Sequence, residues 1–323
     1  MKTLHTRKKQ KGLSLIELMI AAALGIFIIG SVMALFINSK QSYRVQENLS
    51  RLQENGRFAM KFISQDLRMA DYWGCVNPIN ITNRTNIADF DVIASGAISG
   101  NQGATKAPDS ITIRGASFAA TDVTASNPAN ATTTAINVVA GHVLQRLQFA
   151  LVSDCSEGDI FQITNNIAMA TTTISHAGQD NASNDLSKLY QPPIAKVYPL
   201  RYATYSIKTT DGRPGLYRTV NNGADQELVE DIEDMQILYG VDSDGDGFAN
   251  YYKTALAAAG EMNDVVSVRI SLVVRTQDDN LTSAKMTHSI FDNDPHIPTT
   301  STAGDNRIRQ VFTSTIAIRN RME

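Results

Sequence analysis

Proline is missing from the start of this 323-residue chain up to Pro78, so no residue there forces a helix to stop. Cysteine is nearly as scarce. Cys75 and Cys155 are the only two, and neither belongs to a C-x-x-C pair, which excludes the usual zinc and dithiol redox motifs. The signatures of common catalysts are absent as well: there is no H-E-x-x-H, no G-x-S-x-G and no Walker loop. The five histidines, His5, His142, His176, His288 and His296, are scattered and read as surface or loop residues. The chain therefore reads as a non-enzyme with no catalytic residue. A basic surplus is lacking too. With 29 basic and 32 acidic residues the formal charge is −3, so no phosphate-binding surface for nucleic acid is expected. No internal repeat is visible.

Acid is absent from the first sixteen residues, where Lys2, Arg7, Lys8, Lys9 and Lys11 precede Gly12. After Gly12 comes Leu13-Ser14-Leu15-Ile16-Glu17, and the chain then stays apolar to Ile37. Glu17 is the single charge in that run. Near a bilayer core an ionised carboxylate costs about 2.5–3.5 kcal/mol on the translocon scale, so it needs a purpose. Leu13 to Ile37 would make a helix about 37 Å long, enough to cross a bilayer with some tilt. Five cations cluster before it, against Lys40 and Arg44 close after it, and that bias keeps the leader cytoplasmic and sends the remainder outward. The run does not end in the A-x-A pattern of an ordinary secretory signal but continues into Asn38-Ser39-Lys40.

Lys11-Gly12 followed by Leu13-Ser14-Leu15-Ile16-Glu17-Leu18 closely resembles the prepilin signal of type IV pilins and type II secretion pseudopilins. The resemblance implies that a prepilin peptidase cuts between Gly12 and Leu13 and methylates the new amino terminus. Leucine stands at Leu13 where most of the family has phenylalanine, and it is likewise apolar. The family glutamate maps onto Glu17, and the resemblance implies that it pairs with the terminal amine of a neighbouring subunit during assembly. Elementary electrostatics favours the same role, because opposite charges brought together in a low-dielectric medium each relieve the other's desolvation cost. Residues 1–12 are then a cleaved leader, and removing its five cations takes the formal charge from −3 to −8. An acidic mature domain suits a solvated extracytoplasmic setting.

Beyond the membrane segment 13–37, Val45, Leu49, Leu52, Gly56, Ala59, Ile63 and Leu67 recur at spacings of three and four. That stripe predicts an amphipathic second half of the same helix over 38–70, the whole reaching about 84 Å by Arg68. Residues 71–323 read as one elaborated, β-rich globular domain. By this topology Cys75 and Cys155 both face an oxidising compartment, and a disulfide between them is expected. It would close a loop of about 80 residues and stabilise by roughly 4–5 kcal/mol.

Alternating or apolar runs at 110–114, 136–138, 159–163, 266–274 and 311–318 predict strands, and 202–208 with 215–219 predict a hairpin across Thr210-Asp211-Gly212-Arg213-Pro214. The polar stretches 116–135 and 175–187 read as surface loops. The fold class is α+β and pilin-like: a long amino-terminal helix packed on an antiparallel sheet with long loops.

Asp242-Ser243-Asp244-Gly245-Asp246-Gly247 matches the opening of a calcium loop. Alternate carboxylates would converge on one hard cation, with the Phe248 carbonyl and Asn250 completing the set at the seventh and ninth positions. Lys253 stands where an EF-hand has its bidentate glutamate, so a last carboxylate must come from elsewhere. Asp231, Asp234, Glu261 and Asp264 are the candidates. The alternative is a turn rich in Asp and Gly that binds nothing.

Tyr72-Trp73-Gly74-Cys75, Asp154-Cys155, the segment Tyr239 to Gly247, the strand 266–274 and the closing Thr315-Ile316-Ala317-Ile318-Arg319-Asn320-Arg321 resemble the PilW type of minor pilin. This implies a low-abundance subunit that helps start the type IV pilus and contributes to its tip complex. Its partners would be other minor and major pilins, prepilin peptidase and the inner-membrane pilus assembly platform. It would be single-pass in the inner membrane with a periplasmic domain, then part of the pilus. The competing readings are a type II secretion pseudopilin and a membrane-tethered, calcium-dependent adhesin.

Overall fold

The computed structural model describes residues 12, 14–87, 96–104, 107–126, 135–221, 223–291 and 299–322. One long helix, α1, runs from Leu15 to Leu67. The strands that follow are β1 (Ile81–Asn83), β2 (Ile98–Asn101), β3 (Ser110–Ala116), β4 (Thr121–Ser126), β5 (Ala135–Val138), β6 (Phe149–Ser153), β7 (Gly158–Gln162) and β8 (Thr173–Ser175). They continue with β9 (Lys196–Thr210), β10 (Arg213–Val220), β11 (Gln226–Glu230), β12 (Ile232–Val241), β13 (Tyr251–Lys253), β14 (Val265–Arg275), β15 (Thr287–Ile290), β16 (Thr299–Thr302) and β17 (Arg309–Ala317).

By contacts the chain forms two compact units, Met1–Ser50 and Arg51–Glu323. In the first unit the apolar helix residues are open to the surroundings, as at Leu15, Phe27 and Phe36. In the second unit the stripe read from the sequence is the buried face of α1: Leu52, Ala59, Ile63 and Leu67 are at most 1 % exposed. Gly56 belongs to the same face for a steric reason. A methyl group there would stand 2.4 Å from the Phe312 ring of β17, so only glycine lets helix and strand approach this closely.

Two sheets share that core. In the larger, β9 is the spine: its first half pairs with β4 and β6 and its second half with β3 and β10. The smaller sheet has the order β13-β12-β14-β17 and is antiparallel throughout. Leu52, Ile63 and Leu67 of the helix meet Ile111 and Tyr205 of the first sheet and Met235, Ile237, Val268 and Ile270 of the second in one buried cluster. A separate cluster fills the region of β4 to β8 around Val138, Val152, Phe161 and Ile174.

The hairpin expected at 210–214 turns on two residues only. Asp211 and Gly212, at φ 51° and 76°, join β9 directly to β10, the Asp-Gly turn whose twist matches paired strands. Two loop expectations need correction. Within 116–135, residues Thr121–Ser126 form β4, paired with both β5 and β9; residues 127–134 lie outside the described set. Alternation is weak there because the partner strands, not the local pattern, fix the conformation. Residues 175–187 are irregular but not merely superficial. His176, Asn181 and Leu186 are buried, and the Asn181 amide donates to the carbonyls of Gln162, His176 and Gly178.

The amino-terminal end of β17 is held by charge. The Arg309 side chain is 2 % exposed and donates to both Glu233 carboxylate oxygens and, at 2.6 Å, to Asp305. Hydrogen bonds from Arg309 and Arg307 hold the Asp305 carboxyl well below the usual carboxylate range, against partial burial that would raise it. Arg309 is the buried member, while Glu233 and Asp305 are partly exposed and Asp305 keeps Arg307, so Arg309→Met should cost about 1.5–3 kcal/mol in denaturant unfolding. The sign with pH follows. A carboxyl with a depressed folded pKa stabilises above its ordinary value near 3.8 and loses that contribution as pH falls towards its folded value. Acid titration of stability should therefore be shallower in Arg309→Met than in the wild type, and equal slopes would contradict this account.

Candidate assembly and metal sites

The amino-terminal end of α1 carries the charge that the sequence singles out. Gly12 is exposed, and Leu13 lies outside the described residues. Glu17 sits in the first turn of the helix, and its side chain closes a reciprocal pair. The Glu17 amide donates to Ser14 Oγ at 3.2 Å and the Ser14 amide donates to Glu17 Oε2 at 3.4 Å. This is a capping box, with Ser14 as the cap and Glu17 three residues on. The reading of Glu17 as a charge for assembly overlooked this second role. Its signal was in the sequence, as S-x-x-E ahead of an apolar run.

At the other end of α1 the chain leaves the helix through Asp71, at φ 63°. The Asp71 carboxylate accepts from Trp73 Nε1 at 2.6 Å and from Arg321, and the Asn320 amide donates to the Ala70 carbonyl at 2.8 Å. The last residues of the chain thus tie down the helix exit. Gly74 follows at φ 73°, where a side chain would strike the Tyr198 ring. Cys75 is then joined to Cys155, in the turn between β6 and β7, with an S–S distance of 2.01 Å.

The acidic loop, residues 242–250, connects β12 to β13. Strands flank it on both sides, with Val241 paired to Tyr251, which is unlike the helix-loop-helix setting of an EF-hand. Gly245 and Gly247 take φ 77° and 83°, the conformation that favours glycine. One carboxylate oxygen from each of Asp242, Asp244 and Asp246 lies within 4.8 Å of the others, a spread that one calcium ion with ligands at about 2.4 Å could bridge. Partial desolvation would raise the Asp242 carboxyl, but the amide hydrogens of Gly247, Gly245 and Asp244 outweigh it and hold the group below its ordinary value.

The other residues of the loop differ in availability. Phe248 is exposed, and its amide donates to Asp246. Asn250 clasps the loop: its oxygen accepts from the Ser243 amide at 2.7 Å and its nitrogen donates to Asp244 at 3.2 Å. Of the four candidates for a last carboxylate, Asp231 and Asp234 lie at the far end of β12, and Glu261 accepts two hydrogen bonds from Lys253 at 2.8 Å. Only Asp264 adjoins the loop, its carbonyl accepting from the Asp242 amide at 2.9 Å.

His142 and His176 lie in irregular segments, in keeping with the expectation of surface or loop residues, but not at the surface. His142 and His176 are buried, the first with Nε2 2.8 Å from the Thr171 carbonyl and the second packed on the Phe161 ring. His5 and His296 lie outside the described residues.

Residues 204–320 match the family model for type IV pilus-assembly protein W, and residues 7–36 match the model of the prokaryotic N-terminal methylation motif. No curated protein and no solved structure gives a significant match. The first match runs from the second half of β9 through β17, so it contains the whole smaller sheet. The second contains Gly12, Glu17 and the apolar half of α1. The buried cluster of β4 to β8 falls outside both. Both matches point to a structural protein rather than an enzyme. A methylation-type amino terminus leads into an apolar helix, the second half of that helix packs on the sheet that the other match covers, and together the two matches support a type IV pilus minor pilin of the PilW type.

Proposed function

We propose that this minor pilin takes part in initiating type IV pilus assembly and stands in the tip complex, after cleavage between Gly12 and Leu13. The observation that supports it most is the character of α1. Its most apolar window has a mean hydropathy of 2.6 and none of that window is buried. A face of that size left open in a folded chain calls for lipid or for the equivalent helices of other subunits. Glu17, just ahead of that window, is the only acid between Leu13 and Ile37, and the amine released by cleavage would be its counter-charge. On this reading residues 13–37 hold the subunit in the inner membrane until extraction, and the domain lies in the periplasm and then at the cell surface. Its partners are the other minor and major pilins, prepilin peptidase and the inner-membrane assembly platform. Deleting the gene should abolish or strongly reduce surface pili counted by electron microscopy. Normal pili with lost attachment would favour an adhesin instead, and normal pili with lost protein export a secretion pseudopilin.

The acidic loop fits a calcium ion as an accessory of the same domain. Three like charges within 4.8 Å repel one another, and a divalent cation would remove that repulsion. Calcium should raise the melting temperature of the purified protein after chelation by a few degrees, and Asp244→Asn should abolish the increase. An identical melting temperature with and without calcium would remove the metal from the account.

A further inference from the structure

The sheets protect most of their edges. β1, β8 and β13 have three residues each and β2 has four, while β11, paired only with β10, carries Glu227 and Glu230. Short strands and edge charges are the ordinary means of keeping a sheet from pairing with another chain. β17 has neither. It is nine residues long, pairs with β14 from Arg309 to Ala317 without a register break, and has no charge and no proline after Arg309. Among the described residues no strand pairs with its other edge.

Beside that edge runs a groove between strand and helix, with Phe312 and Thr313 on one side and Gly56 and Met60 on the other. Its rim is basic. Arg57, Lys61 and Arg68 line it at helical spacing, all three exposed. Among the described residues none of the three forms an ion pair, whereas Arg84, Lys188, Arg201, Lys253, Arg309 and Arg321 all do. Three unpaired cations in a row are out of keeping with a chain whose acids outnumber its bases.

We propose that the outer edge of β17 is a docking site for an extended, acidic segment of another pilin subunit. The segment's backbone would continue the sheet, and its carboxylates would lie along Arg57, Lys61 and Arg68. The dimensions agree. From Arg57 to Arg68 the helix rises about 17 Å, the span of a strand of about five residues. Strand addition supplies backbone hydrogen bonds for affinity, and the charges supply selectivity. An anionic lipid headgroup would neutralise the cations but leave the β17 backbone unpaired. The inference rests on the minor-pilin reading, and its test separates the two.

The full chain is purified in detergent from cells making the complete set of pilin-like subunits, as wild type, as R57E/K61E/R68E and as the charge-preserving R57K/K61R/R68K. Recovery of partner subunits should fall by about tenfold or more in the charge-reversed protein and persist in the conservative one, both melting at the wild-type temperature. In the wild-type complex, amide exchange over residues 310–317 should slow by about tenfold or more relative to the chain alone. An intact complex with unchanged exchange there overturns the docking edge and leaves the minor-pilin reading standing. Undiminished recovery in the charge-reversed protein, or protection arising from a second copy of this chain alone, overturns it in the same way. Failure of the wild type to carry any pilin-like subunit overturns both.

Discussion

Replacing Cys75 and Cys155 together by serine should lower the stability of the domain by roughly 4–5 kcal/mol and its melting temperature by roughly 10–15 °C, yet leave it folded at room temperature. The magnitude comes from the loop. The two cysteines are separated by 80 residues in sequence, so the unfolded chain loses a large share of its freedom when they are joined. Survival of the fold comes from what surrounds the link. Trp73, Val76 and Ile81, which follow the helix, are buried against Phe149, Leu151 and Ile160 of β6 and β7. Asp71, Trp73 and Arg321 lock the same junction from the helix side. The bond therefore reinforces a contact that packing already makes. Guanidinium unfolding followed by circular dichroism, on the variant and on reduced wild type, checks the figure. A loss below about 1 kcal/mol would mean that the unfolded chain keeps these segments together without the bond.

What the sequence disclosed, and what it hid, follows one physical division. The helix was legible because its two demands are local and periodic. An apolar run of bilayer length and then Leu52, Gly56, Ala59, Ile63 and Leu67 at steps of three and four leave little choice. The strand expected over 266–274 was legible from its alternation, with Val266, Val268, Ile270, Leu272 and Val274 apolar, but the wet face that alternation implies was not found, since nine of the eleven residues of β14 are buried. β4 was not legible, because Thr121–Ser126 has the composition of a loop and becomes a strand only between β5 and β9. Nor could spacing reveal that Asp71, Trp73 and Arg321 meet, since 250 residues separate the ends of that ion pair. The acidic loop falls between these cases. Its glycines and aspartates marked the turn correctly, whereas the use of Glu261 by Lys253 and the approach of Asp264 belong to the folded chain.

Glu17→Ala should leave cleavage after Gly12 intact and reduce incorporation into pili severely, but alanine alone does not isolate the charge. Glu17 also caps α1 through Ser14, so alanine removes two interactions at once. Two further variants separate them. Glu17→Gln keeps an oxygen able to accept from the Ser14 amide, since Gln serves in capping boxes as Glu does, and it discards the charge. Ser14→Ala keeps the charge and discards one half of the cap, at about 1 kcal/mol of helix stability. If a salt link to the neighbouring terminus is what aligns subunits, Glu17→Gln and Glu17→Ala should both fail to incorporate, while Ser14→Ala incorporates normally. The physical ground is that a neutral amide has no opposite charge to recover, whereas an ionised Glu17 that stays unpaired in the bilayer bears a cost of about 2.5–3.5 kcal/mol until a partner amine arrives. Processing is read from the mass of the mature protein and incorporation from its amount in sheared pili. Normal incorporation of the glutamine variant would transfer the role of Glu17 from assembly register to helix capping, because every interaction that it keeps is one that the folded subunit makes within itself.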